Sequence, residues 1–203
     1  IIMKTLRMIL VGMLVSFGAS VMSQNLILSE DFQGFKEQGL RAGSDTLACG
    51  KKKVDSKANF KVSKVYGGVK VNYEFLKSAV QPQCAAKKSP AQVTTGLVEI
   101  TKKEDASMVI GTFDYVSKIE VGASATGDVR GFALYKSVDG GAWVKVGEYI
   151  GSKAEGADAQ YGFNSTININ EKNVKLKFGP TVCGKDEPAL QTFRIHDIKV
   201  YGK

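Results

Sequence analysis

Trp143 is the only tryptophan in this chain of 203 residues, and it lies just beyond the turn Ser137-Val138-Asp139-Gly140-Gly141. Aromatic faces stack on the apolar C–H faces of sugar rings, and nearby lysines or arginines hold hydroxyl or carboxylate groups. A tryptophan in this place does one of two things: it presents its ring to a ligand, or it packs over its own hairpin. Tyr66, Tyr73, Tyr115, Tyr135, Tyr149 and Tyr161 carry the same two readings. The set expected to touch carbohydrate is Trp143, Tyr161, Arg130, Lys51 and Lys53. Arg130 stands beside Gly131 at a strand start, where it reaches a rim site or pairs with Asp128. The lysine run Lys51 to Lys53 supplies positive charge.

A second constellation could hold a cation. Glu30-Asp31 close the first strand and Asp197 lies in the last. First and last strands are neighbours in many sandwiches, so these carboxylates are expected to meet. Hard cations such as Ca²⁺ take several oxygens at about 2.3–2.6 Å. Three converging carboxylates would repel one another without a cation, so the metal would relieve that cost while bridging the strands. The alternative is ordinary surface acids, with a salt bridge to Lys199.

Constellations for catalysis are sparse. One histidine, His196, excludes two-histidine metal sites. There is no G-x-S-x-G elbow and no phosphate-loop lysine after a glycine-rich turn. A lyase acting on uronates would need a base such as Tyr161 or His196 and a cation such as Arg194, and their spacing gives no signal. Cys49, Cys84 and Cys183 allow three single bridges and leave one thiol over. Cys49 and Cys84 each precede a lysine cluster in a polar loop, so Cys49–Cys84 is the expected bridge. No pair has zinc-like spacing.

The elements that must position these residues read as strands. Short runs alternate apolar and polar residues, and helical periodicity is almost absent after residue 23. Expected strands are Asn25 to Phe32, Phe60 to Tyr66, Val69 to Leu76, Val93 to Thr101, Ser107 to Phe113, Ser117 to Ala125, Gly131 to Ser137, Trp143 to Ile150, Ser165 to Asn170, Val174 to Phe178 and Gln191 to Tyr201. Gly67-Gly68 and Asp139-Gly140-Gly141 mark hairpins. In the last strand Phe193 and Ile195 share one face, whereas Ile198 and Val200 fall on the opposite parity. Either a one-residue bulge at His196-Asp197 restores the inward face, or the strand is buried on both sides. The pattern predicts an all-β fold: a two-sheet antiparallel β-sandwich of jelly-roll type, in one domain.

Residues 1–23 read as a signal peptide. Lys4 and Arg7 precede the apolar run Met8 to Phe17, which is too short to span a bilayer, and Val21-Met22-Ser23 offers a cleavage site before Gln24. Ile1 and Ile2 precede Met3, the natural start. The expected mature domain is 24–203, with a periplasmic, cell-surface or secreted location and no membrane span. Its formal charge falls from +8 to +6 once Lys4 and Arg7 are removed. Such a charge suits acidic partners such as uronate polysaccharides. Nucleic acid is a poor partner for an exported protein.

Several phrases carry a family likeness. Gly96-Leu97-Val98-Glu99-Ile100, Ser124-Ala125-Thr126-Gly127, Arg130-Gly131-Phe132, Ser137 to Trp143, Asn173-Val174-Lys175-Leu176 and Ile198-Lys199-Val200-Tyr201-Gly202 resemble the secreted jelly-roll modules of Gram-negative glycan degraders, including those beside pectate lyase domains. The S-x-D-G-x-x-W phrase is similar to one in discoidin-like, galactose-binding-fold domains. The resemblance implies a β-sandwich associated with carbohydrate, and it transfers no catalytic residue. The function expected is non-catalytic binding of a polysaccharide or cell-surface glycan, with acidic polymers favoured. The alternatives are a structural or adhesive envelope protein and a small β-sandwich polysaccharide lyase.

Overall fold

A computed structural model describes residues 24–32, 59–81, 97–124, 129–152, 163–184 and 188–203. Expectations for the signal peptide and for Cys49 and Cys84 lie outside them. Twelve strands follow in chain order: β1 (Asn25–Glu30), β2 (Phe60–Tyr66), β3 (Val69–Leu76), β4 (Ser78–Gln81), β5 (Leu97–Ile100), β6 (Ser107–Ser124), β7 (Val129–Val138), β8 (Val144–Ser152), β9 (Phe163–Pro180), β10 (Val182–Cys183), β11 (Ala189–Leu190) and β12 (Phe193–Gly202). The described residues contain no helix, and so none long and apolar enough to cross a membrane.

All pairings are antiparallel. The architecture turns on β6 and β9, each of 18 residues. Their pairing runs from Met108↔Phe178 to Ala123↔Phe163, with register shifts between Ile110 and Phe113 and between Val116 and Lys118. The first half of β6 and the second half of β9 belong to one layer, in the order β2-β3-β6-β9-β7-β8. The other halves belong to a second layer, in which β12 pairs with β6 on one side and with β1 and β5 on the other. Strands that pass from one layer to the other through irregularities form the corners of a sandwich. This corrects one expectation. Ser107 to Phe113 and Ser117 to Ala125 are not separate strands, and neither are Ser165 to Asn170 and Val174 to Phe178. Each pair is one bent strand, and in β9 the bend uses Asn170 and Asn173 at positive φ.

Alternation fills the core. Val71, Tyr73 and Phe75 point inward from β3, and Val174, Leu176 and Phe178 from β9. Phe132 on β7 lies 5.8 Å from Phe193 on β12, ring centroid to centroid, and 5.7 Å from Phe178. These rings join the two layers in tilted and offset contacts, the geometry aromatic pairs prefer. In β12 both pairs, Phe193 with Ile195 and Ile198 with Val200, are buried. The bulge accounts for them: Ile195 faces Ala123 and Asp197 faces Gly122, leaving His196 as the extra residue.

A polar link also crosses between layers. Glu30 ends β1 with 1 % of its surface exposed. Its carboxylate accepts from Lys64 at 2.7 Å, from Tyr73 at 3.1 Å, from Tyr66 and from the Phe32 backbone N–H at 2.6 Å. Lys64, Tyr66 and Tyr73 come from the β2–β3 hairpin in the other layer. Burial is the main cause that pushes both tyrosine pKa values above the ordinary range, and Glu30 adds to it. A buried carboxylate with this many donors is costly to remove from one side only, because the partners keep their desolvation cost. Glu30→Ala is therefore expected to destabilise by about 3–5 kcal/mol. Urea unfolding should show a lower midpoint with an unchanged slope.

Candidate functional site

One row of side chains crosses the outer face of the first layer. The registers align Lys61 with Glu74, Glu74 with Val109, Val109 with Lys177, Lys177 with Tyr135, and Tyr135 with Lys145. Six strands at about 4.8 Å spacing make this row roughly 24 Å long. Its members point outward because their strand neighbours Phe75, Met108, Leu134, Leu176 and Phe178 are buried. Small residues flank the row. A Cβ added to Gly179 would sit 3.7 Å from the Tyr135 ring. The face holds a groove of about 730 Å³, lined among others by Lys61, Glu74, Asp105, Trp143, Lys175 and Lys177.

Trp143 is set over this groove by the β7–β8 turn. Asp139 and Gly140 both take positive φ, the turn geometry that suits the twist of a hairpin. The Gly141 N–H donates to the Val138 carbonyl at 2.8 Å, and the Ser137 hydroxyl donates to the Gly141 carbonyl at 2.7 Å. Asn173 pins the turn from β9: its side-chain amide donates to Asp139 at 2.9 Å, and its carbonyl accepts from the Asp139 N–H at 3.0 Å. Trp143 keeps 38 % of its surface exposed, so it is not a core residue.

The Lys177 ammonium lies 4.6 Å from the centroid of Tyr135 and 4.8 Å from that of Trp143. The ring faces attract a cation, while burial pushes the Lys177 pKa below the ordinary lysine value. Three other cations here carry carboxylate partners. Lys61 pairs with Glu74 at 3.0 Å, Lys77 with Asp105, and Lys145 with Glu148. The Lys77 hydrogen bond is the main cause that holds the Asp105 carboxyl below its usual range. Among the described residues neither Lys175 nor Lys177 makes an ion pair.

The remaining expected site residues are placed elsewhere. Arg130 sits at the start of β7, and Trp143 follows its far end, roughly 25 Å of strand away. The Arg130 guanidinium donates to the Val129 carbonyl at 3.1 Å. Tyr161, Lys51, Lys53, Cys49 and Cys84 lie outside the described residues. Cys183 is a free, buried thiol whose pKa burial raises. Glu30, Asp31 and Asp197, the acids expected to meet at a cation, lie on or beside β1 and β12. β1 and β12 are indeed neighbours, yet Glu30 lies opposite Ile198. Adjacent strand residues face opposite sides, so Glu30 turns inward to Lys64, Tyr66 and Tyr73, while Asp197 turns outward over Gly122. A Cβ on Gly122 would stand 2.2 Å from the Asp197 Oδ2. Among the described residues no cluster of three His, Cys, Asp or Glu could hold a metal ion.

Lys177, Lys61 and Glu74 are the members that sequence reasoning missed, while Tyr135 was among the tyrosines with two readings. Their outward parity was visible, as in Val174-Lys175-Leu176-Lys177-Phe178. Which strands lie side by side was not, and only the register turns four outward residues into one row.

No known protein family matches this chain, and neither does any curated protein. Among solved structures it is similar to CpGH89CBM32-6 produced by Clostridium perfringens, at 14% identity over 62% of this chain and 94% of that one, with a TM-score of 0.36. CBM32-1 from a family 31 glycoside hydrolase of Clostridium perfringens gives 18% identity over 61% and 93%, with a TM-score of 0.35. A family 35 carbohydrate binding module from Clostridium thermocellum gives 13% over 59% and 91%, with a TM-score of 0.32. Likeness at this level carries no argument about what the chain binds.

Lys177 supplies a test of the site's electrostatics. Its pKa in the folded state is lowered, so the unfolded chain holds a proton that the native protein has released. Stability from this group therefore rises with pH across the window ending at the ordinary lysine value of 10.5. Below that window the uncompensated ammonium is a cost. Lys177→Met should melt no lower than wild type at neutral pH and should lack the alkaline gain. Thermal melts of both proteins across pH 7 to 10.5 check this.

Proposed function

We propose that this protein binds glycan without transforming it, using the outer face of the first layer. A polysaccharide or cell-surface glycan is the partner, and an acidic polymer is favoured. The observation that carries the reading is Trp143, half-exposed at the rim of a groove with the Lys177 ammonium over its ring. An exposed indole beside lysines offers a sugar both an apolar face and charge-assisted hydrogen bonds. The acidic preference is supported by Lys175 and Lys177, whose charges no carboxylate among the described residues answers. Export through the leader at residues 1–23 belongs to the same proposal, because it would bring this face to polysaccharide outside the cytoplasm. Arg130, at the far end of β7, is not part of the site proposed.

Affinity electrophoresis through gels loaded with neutral or uronate polysaccharide tests the reading. Wild type should be retarded, and rising salt should weaken retention on the acidic polymer. Trp143→Ala should lose about tenfold in affinity, the equivalent of roughly 1.4 kcal/mol from one stacked ring. Arg130→Ala should run like wild type. If no neutral or acidic polysaccharide retards the wild-type protein, the glycan reading is wrong.

A further inference from the structure

The groove carries both signs of charge, and their arrangement is specific. Lys61, Lys175 and Lys177 line it together with Glu74 and Asp105. Lys61 and Glu74 satisfy each other, and Asp105 is satisfied by Lys77. These two pairs leave a ligand no free cation, while their carboxylates still face the groove. The positive charge left over is confined to Lys175 and Lys177, neighbours of one parity on β9. Glu74 stands two strands from Lys177 in the same row, roughly 10 Å away across β6. That is about one screening length at physiological salt, so its field reaches any charge placed between them.

A polymer lying in this groove across the strands thus meets one attractive region, at Trp143, Lys175 and Lys177, and then acidic side chains. We propose that the groove selects a glycan whose carboxylates are sparse: one acidic sugar seated at Lys177 and flanked by neutral sugars, in preference to a chain charged at every residue. This rests on the glycan-binding reading and refines it. The isolated anion finds an ammonium already stripped of part of its water and held by two rings, so little ordering remains to be done on binding. A continuous polyanion gains the same contact but also places charge against Glu74 and Asp105. Lys61 and Lys77 are already engaged by these carboxylates, so they offer its further charges no free partner. The lowered pKa of Lys177 agrees with an ammonium that lacks a counter-ion in the unliganded protein.

The experiment holds the sugar backbone constant and varies only its charge. Homogalacturonan is used with all carboxylates free, with most of them methyl-esterified, and fully esterified. Binding is measured by calorimetry on wild type, Lys177→Gln and the double variant Glu74→Gln/Asp105→Asn. Wild type should bind the mostly esterified chain about tenfold more tightly than the fully esterified one, the gain of one charge-assisted contact. It should also prefer the mostly esterified chain to the fully charged one. Lys177→Gln should erase the difference between the mostly and fully esterified chains. The double variant should raise affinity for the fully charged chain relative to the mostly esterified one. Affinity that climbs steadily to the fully charged chain, or that is equal for all three, overturns the charge-spacing inference and leaves glycan binding intact. If wild type binds none of the three, both fall.

Discussion

The pairing of β6 with β9 is the constraint on which the rest depends. Both strands are long enough to serve two layers, and they bend together. A bend in one strand of a hydrogen-bonded pair must be matched by the other, or the ladder would lose its bonds. β6 absorbs the bend through two register shifts, and β9 absorbs it through Asn170 and Asn173 at positive φ. Asparagine tolerates that conformation better than most residues. Asn173 then serves a second purpose, because the same residue holds Asp139 and so fixes the turn that carries Trp143. The corner of the sandwich and the rim of the groove are thus one piece of structure.

The groove face follows from what the bend separates. Beyond the corner, β6 and β9 pair with each other beside β12, and their outer residues are Lys118, Glu120, Thr166 and Asn168. On that surface Lys118 and Glu120 answer each other. Lys118 bonds Glu120 at 2.8 Å and lies over the Tyr201 ring, whose hydroxyl donates to Glu120 at 2.9 Å. The Glu120 carboxyl is held below its usual range chiefly by Lys118. On the first layer the equivalent positions place a lysine over two rings with no carboxylate to answer it. At these positions the two outer faces use similar residues and differ in whether the lysine over the ring has a carboxylate partner.

Much of this was legible in the sequence, for reasons that particular residues show. Period-two alternation gave the strands because one face of each is buried, as in Ile119, Val121 and Ala123. The His196 bulge was legible as one of two readings because two inward pairs fell on opposite parities. Trp143 stood out by its type and by the glycine turn before it. Continuity was not legible. A bend at Gly111 or Asn170 looks in sequence like the end of one strand and the start of another. Nor was strand adjacency, and for that reason the partners of Glu30 on the neighbouring hairpin, Lys64, Tyr66 and Tyr73, were not legible. A buried glutamate and a surface glutamate are the same letter, and only the neighbouring strand decides between them.

The place of β12 has a consequence for how the chain reaches this structure. The last strand in sequence lies inside the second layer, paired with β1, β5 and β6. Its contacts with β1 join residues almost the full described length of the chain apart. Closing so long a loop costs entropy before any contact repays it, and topologies of this kind fold slowly. The second layer cannot close until β12 has been made, because β1, β5 and β6 all pair with it. Until then β1, β5 and the far half of β6 lack the strand that joins them, so the second layer forms only after every one of its strands is in place.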